Sequence, residues 1–206
     1  MPERTDLESS SDSHTEAGIS APAGVRYLLD TRISRFTVRA FASGMLSAFG
    51  HSPTIAIRDF AGEAQFSPDK LETATLHVTV KAASLSVTDD VSDKDRREIE
   101  REMQEKVLES AKYPEIVYEC SQVSADNPGN GQYSIKLRGN LTLHGMTHSL
   151  VVPARVAVTG EMLRAFGEFS LRQSGYNIKP VSAIGGGLKV KDEVKFSFDI
   201  VARKQE

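Results

Sequence analysis

The sequence predicts a mainly β chain, an antiparallel sandwich or barrel that carries one helix. Three observations point there. Apolar and polar residues alternate from Val25 onward, short turn signals separate the alternating runs, and one charged segment at 92–110 switches to helical spacing. Alternation marks strands with one buried face, because successive side chains of a strand point to opposite sides.

Residues 1–24 are rich in Ser, Glu, Asp, Thr, Ala and Gly, with only scattered apolar residues such as Leu7 and Ile19, and read as a disordered polar tail. Its five acidic residues stand against Arg4 alone, so the tail carries −4 of a total of −3 and the domain expected at 25–206 is close to neutral, at about +1. Within that domain Leu76, Val78 and Val80 alternate with His77, Thr79 and Lys81. Leu137, Leu141 and Leu143 alternate with Arg138, Asn140 and Thr142. Leu150, Val152, Ala154, Val156 and Val158 form another apolar face, and Val194, Phe196, Phe198 and Ile200 oppose Lys195, Ser197 and Asp199. Turns are expected at Ser67-Pro68-Asp69, at Asp126 to Gly131 and at His144-Gly145.

Residues 92–110 are dense in helix formers, and Ile99, Met103 and Val107, four apart, fall on one face. Ser92 is the expected N-cap, with Asp93 and Asp95 in the first turn, where the helix dipole favours negative charge. Pro114 ends the segment before the next strand. A helix docked on the barrel by a narrow apolar stripe is expected, with a mobile lid as the alternative.

Composition excludes several functions. A chain 26% charged with pI near 6.0 has no electrostatic case for nucleic acid or an anionic membrane surface. No run of 18 predominantly apolar residues suggests a membrane span, and the first residues lack the basic start and apolar core of a secretion signal, so no stable membrane insertion and a cytoplasmic location are expected. The lone Cys120, in the run Ile116-Val117-Tyr118-Glu119-Cys120, reads as a buried strand thiol.

Signatures of catalysis are missing from the sequence: there is no GxSxG elbow, phosphate loop, GxGxxG fingerprint or HExxH helix. Gly185-Gly186-Gly187 precedes the strand-like Leu188-Lys189-Val190 rather than a helix, and reads as a flexible loop. His144 and His148 would share a helix face, but Gly145 and the alternating flanks argue for a turn from which they diverge. His51, His77 and His144, with Asp59 or Asp30, show no metal-ligand spacing, so no metal and no required cofactor are expected. Asn140-Leu141-Thr142 reads as an incidental glycosylation sequon.

Several stretches carry a resemblance. Tyr27-Leu28-Leu29-Asp30, with Ser34 and Phe36 following, fits the pattern Y-x-hydrophobic-D-x-x-x-S-x-hydrophobic, and Phe49-Gly50-His51 precedes Phe60-Ala61-Gly62-Glu63-Ala64-Gln65-Phe66. Tyr113-Pro114-Glu115-Ile116 enters a strand, Gly139-Asn140-Leu141-Thr142-Leu143-His144-Gly145-Met146-Thr147 forms the densest motif, and Asp192-Glu193-Val194 opens the last strand. Taken in order over roughly residues 25–203, these resemble the YceI-like family. Arg172 to Ile178 departs from that family's usual R-x-D-F-G-I loop, and the polar tail stands where many members carry a secretion signal.

The resemblance implies an extended eight-stranded antiparallel lipocalin-like barrel, non-enzymatic, that binds a long apolar lipid of the polyisoprenoid or isoprenoid-quinone type and carries or stores it. Such a lumen is expected to be lined by Phe41, Phe49, Phe60, Phe66, Val78, Val80, Leu141, Leu143, Val152, Val156, Phe169, Leu171, Phe196 and Phe198, with His51 and His144 at a polar mouth. A homodimer is left open. The competing readings are a hydrolase or isomerase acting on an apolar substrate, and a structural barrel that binds a partner protein.

Overall fold

The structure, a computed structural model, describes residues 24–43, 52–67, 70–129, 131–180 and 189–205. Its strands are β1 (Val25–Leu29), β2 (Arg35–Ser43), β3 (Thr54–Ile57), β4 (Phe60–Phe66), β5 (Thr75–Lys81) and β6 (Leu85–Val87) before the helix α1 (Asp93–Glu102). After it come β7 (Glu115–Gly129), β8 (Gln132–Leu143), β9 (Met146–Thr159), β10 (Met162–Arg172) and β11 (Lys189–Lys204). All pairings are antiparallel. The ring runs β1-β4-β5-β7-β8-β9-β10-β11 and closes through β1 and β11, from Tyr27 opposite Lys204 to Leu29 opposite Ala202. The expected eight-stranded barrel with a single helix is therefore the observed one.

Three neighbouring strands are broken at one level. Each of the pairs β1/β2, β3/β4 and β5/β6 occupies one strand position, bent at residues 30–34, 58–59 and 82–84. The first break is knotted to β11: Ser34 Oγ donates to the Asp30 carbonyl at 2.7 Å and accepts the Val201 amide at 3.0 Å, and the Asp30 amide donates to the Val201 carbonyl at 2.8 Å. Asp30 is buried and accepts Arg203 Nε at 2.9 Å and Arg32 Nε at 3.2 Å. The Arg32 and Arg203 guanidiniums hold its carboxyl well below the usual range, at about 2. Above the breaks, β2, β3 and β6 form a panel attached to β11.

That panel leaves two seams. β6 pairs with β3 but not with β7, so one edge of the barrel is open at this level. Between β9 and β10 the ladder runs from Met162 opposite Thr159 to Phe166 opposite Arg155 and stops there. Pro153 supplies no N–H to continue it.

Helix α1 covers the first seam. Ser92 caps it, its Oγ accepting the Asp95 amide at 3.1 Å. The helix gives way at Met103–Val107 to a wider turn, with the Leu108 amide donating to the Met103 carbonyl at 2.9 Å. At the β8–β9 hairpin His144 and Gly145 have φ of 51° and 73°, the two positive values that a tight I′-type turn requires. A Cβ at Gly145 would also meet the Tyr113 ring at 2.7 Å.

Candidate functional site: an apolar cavity

Inward-facing side chains do not fill the barrel. They enclose a cavity of about 960 Å³, at the upper end of the range for small-molecule sites. Of the residues expected to line it, Phe66, Val78, Val80, Leu141, Leu143, Val152, Val156, Phe169, Leu171, Phe196 and Phe198 do so. Two placements differ. Val38, Ala40 and Ala42 give β2 its cavity face, so Phe41 points the other way, beneath the Arg39 guanidinium 5.7 Å from its ring centroid. Phe60 is buried, but the Phe36 ring packs edge-on against it at 4.9 Å and takes its place in the wall. Phe49 and His51 lie outside the described residues, as do Gly185 to Gly187 and residues 1–23.

Two buried clusters make up the interior. One surrounds Val38, Ile57, Val80, Met103 and Leu143, and the other surrounds Tyr27, Phe66, Cys120, Val152 and Ala202. Leu29, Phe36, Leu76, Tyr118, Leu150 and Phe169 pack against both, line the cavity and stay only half-buried. The free surface of this central belt is what an occupant would cover. Of this belt the expected lining named Phe169 alone; alternation had put Leu76 and Leu150 on apolar faces, and extending it along Ile116-Tyr118-Cys120 would have found Tyr118.

The belt holds one hydroxyl. Tyr118 Oη donates toward the Leu137 carbonyl at 3.0 Å and lies 3.3 Å from the Leu150 carbonyl, and burial pushes its pKa strongly up. Cys120, two residues on, is buried with its Sγ 3.4 Å from the Gln122 carbonyl, and burial raises its pKa too, which keeps the thiol protonated and unreactive. Leu71 and Ala74 line one end of the cavity. The charged lining residues, Asp89, Glu98, Arg101, Glu102 and Lys106, all lie on or next to α1. Both cations are engaged, Arg101 with Glu98 at 2.7 Å and Lys106 with Glu102 at 2.6 Å.

Helix α1 and the turn after it meet the free edge of β6 through three side chains spaced four apart. Arg96 donates to the Val87 carbonyl and, at 2.9 Å, to the Asp89 carbonyl; Glu100 accepts the Val87 amide at 2.9 Å; Gln104 donates to the Ala82 carbonyl at 3.2 Å and the Leu85 carbonyl at 3.3 Å. They stand in for a missing strand and satisfy backbone groups that would otherwise be stranded. The stripe Ile99, Met103 and Val107 is thereby held against the cavity.

His144 is not at a mouth: it is buried outside the cavity lining. Its Nδ1 is 3.2 Å from the Tyr176 carbonyl, its Nε2 is 2.7 Å from Glu109 Oε2, and the Tyr113 ring lies on it at 4.4 Å. His148 does not simply diverge from it, because its ring packs edge-on against Tyr176 at 5.2 Å. His77 is exposed on β5 beside Thr79 and Glu119. Among the described residues no cluster of three or more His, Cys, Asp or Glu is placed to hold a metal ion, and no helix is long and apolar enough to cross a membrane.

Fold and cavity together define a closed antiparallel barrel with a ligand-sized hydrocarbon interior. Residues 27–202 match the YceI-like domain, and the chain belongs to that family. A UPF0312 protein of Azotobacter vinelandii is 29% identical over 140 residues, 68% of each chain. Among solved structures, BcnA of Burkholderia cenocepacia superposes with a TM-score of 0.67 at 20% identity, covering 84% of this chain and 98% of that one. A polyisoprenoid binding domain from Saccharophagus degradans gives 0.62 at 12% identity, covering 87% and 98%. The YCEI protein of Campylobacter jejuni gives 0.55 at 16% identity, covering 74% and 85%.

Proposed function

We propose that this protein binds a long, slender apolar lipid, of the polyisoprenoid or isoprenoid-quinone type, inside the barrel and carries or stores it. The observation that carries this reading is the cavity itself: about 960 Å³ with a wall of Leu, Val, Ile, Ala and Phe side chains around the half-buried central belt. A hydrocarbon chain placed there gains about 0.8 kcal/mol for each methylene withdrawn from water. The polyisoprenoid binding of a fold neighbour supports the same class of ligand. Binding rather than catalysis is the role we assign, since the central belt offers one phenol, Tyr118, with the buried Cys120 thiol behind the wall, and burial raises the pKa of both so that neither is an activated nucleophile.

Organic extraction of the purified protein followed by mass spectrometry tests the reading. One long-chain isoprenoid per chain is expected. Protein recovered empty, that takes up no added isoprenoid and turns over an ester or a quinone, would overturn it in favour of an enzyme.

A further inference from the structure

The two unpaired seams of the barrel are covered by different segments, and both covers end at one side chain. The first is α1 with the turn after it, which ends at Glu109. The second is the turn Gln173–Tyr176 and the residues up to Ile178, which follow β10 where its ladder to β9 has stopped. Tyr176 is buried there against His148 of β9, while Gln173 and Ile178 line the cavity. His144, in the tight turn between β8 and β9, reaches Glu109 with one ring nitrogen and the Tyr176 carbonyl with the other.

We infer that His144 is a positioning residue that clasps both covers together, so that the two seams open as one unit. One imidazole thus holds a hydrogen-bond partner in each cover, the Glu109 carboxylate in the first and the Tyr176 carbonyl in the second. Around it stand Tyr113, tilted against the ring, Lys112 over the Tyr113 ring at 4.8 Å, and His148 against Tyr176. The backbone also marks the site: Glu109 and His144 both have positive φ, 44° and 51°, a conformation that non-glycine residues adopt only when their surroundings hold them there.

The functional consequence, control of lipid entry, rests on the binding role proposed above, whereas the coupling of the covers does not. Hydrogen exchange on the full chain, read separately over residues 94–108 and 173–178, tests the coupling. His144→Gln should raise exchange about tenfold in both segments and leave β8 unchanged, the effect of losing one charge-assisted hydrogen bond. Entry and exit of Nile red, an uncharged apolar dye, should accelerate by a similar factor. Glu109→Ala, which frees the first cover from the imidazole, should likewise raise exchange in both segments. Loosening of only one segment in either variant would overturn the inference. If Nile red never enters the native protein, the lipid reading fails while the exchange data still decide the coupling.

Discussion

Glu100 Oε1 accepts the Val87 amide at 2.9 Å, so a helix carboxylate occupies the position that a strand carbonyl would hold in a fully paired barrel. Replacing it with alanine leaves that amide without its partner, at a cost of about 1–3 kcal/mol. The expected result for Glu100→Ala is a ten- to hundredfold loss of exchange protection at Val87, read by NMR, with the β8 and β9 amides unaffected (about 1.4 kcal/mol per factor of ten).

Asp30 makes the fold acid-sensitive in a defined window. Its carboxyl is held at about 2 by Arg32 and Arg203, against an ordinary value of 3.8. A carboxylate depressed in this way stabilises the folded state fully above the ordinary value, and that contribution fades as pH falls through the folded one. Asp30→Asn should therefore lower the melting temperature at pH 7, and the gap between variant and native protein should close between about pH 4 and pH 2. An unchanged gap across that range would remove Asp30 from the account.

Leu76→Trp probes the hollow belt. In a close-packed core the extra volume would cost about 1–3 kcal/mol. Leu76 borders free space and is only half-buried, so delipidated protein should lose less than about 1 kcal/mol, while the lipid recovered by extraction falls sharply. The comparison needs delipidated samples, because a bound ligand raises stability by mass action.

Gly139→Ala should fail for a reason unrelated to conformational freedom. A Cβ there would lie 2.2 Å from the Glu119 carbonyl oxygen and 2.9 Å from Cys120 Cα, beside the bulge at Ser121 in β7. Backbone cannot swing aside as a flexible side chain can, so a loss of about 2 kcal/mol or more is expected in urea titration.

Much of this was legible in the sequence, and the rest was hidden for physical reasons. Alternation located the strands, the four-residue spacing of Ile99, Met103 and Val107 located the helix, and Ser92 marked its start. The aligned breaks in β1/β2, β3/β4 and β5/β6 were not legible, because they depend on neighbours far along the chain, as with Ser34 and Val201. Phe41 shows the opposite failure. It was assigned by residue type, although its own parity against Val38, Ala40 and Ala42 already placed it outside. Phe60 had the right parity, but no local pattern announces that another ring will cover it. His144 and Gly145 were readable as a turn; that the imidazole reaches Glu109 and Tyr176 is a product of tertiary assembly.

The row of strand breaks at 30–34, 58–59 and 82–84 divides the barrel into two storeys of unequal stiffness. Below it, the ring of hydrogen bonds runs unbroken through β1, β4, β5 and β7, with Asp30 and Ser34 pinning the corner to β11. Above it, the β2-β3-β6 panel is fastened along β11 and, across its far edge, by side chains of α1 and the turn after it rather than by a strand. The edge of β6 can therefore move away from β7 without breaking a ladder bond of β1, β4 or β5. An apolar lipid bound as proposed should accordingly be discriminated at the end near Leu71 and Ala74, and tolerated in many forms at the end beneath the helix.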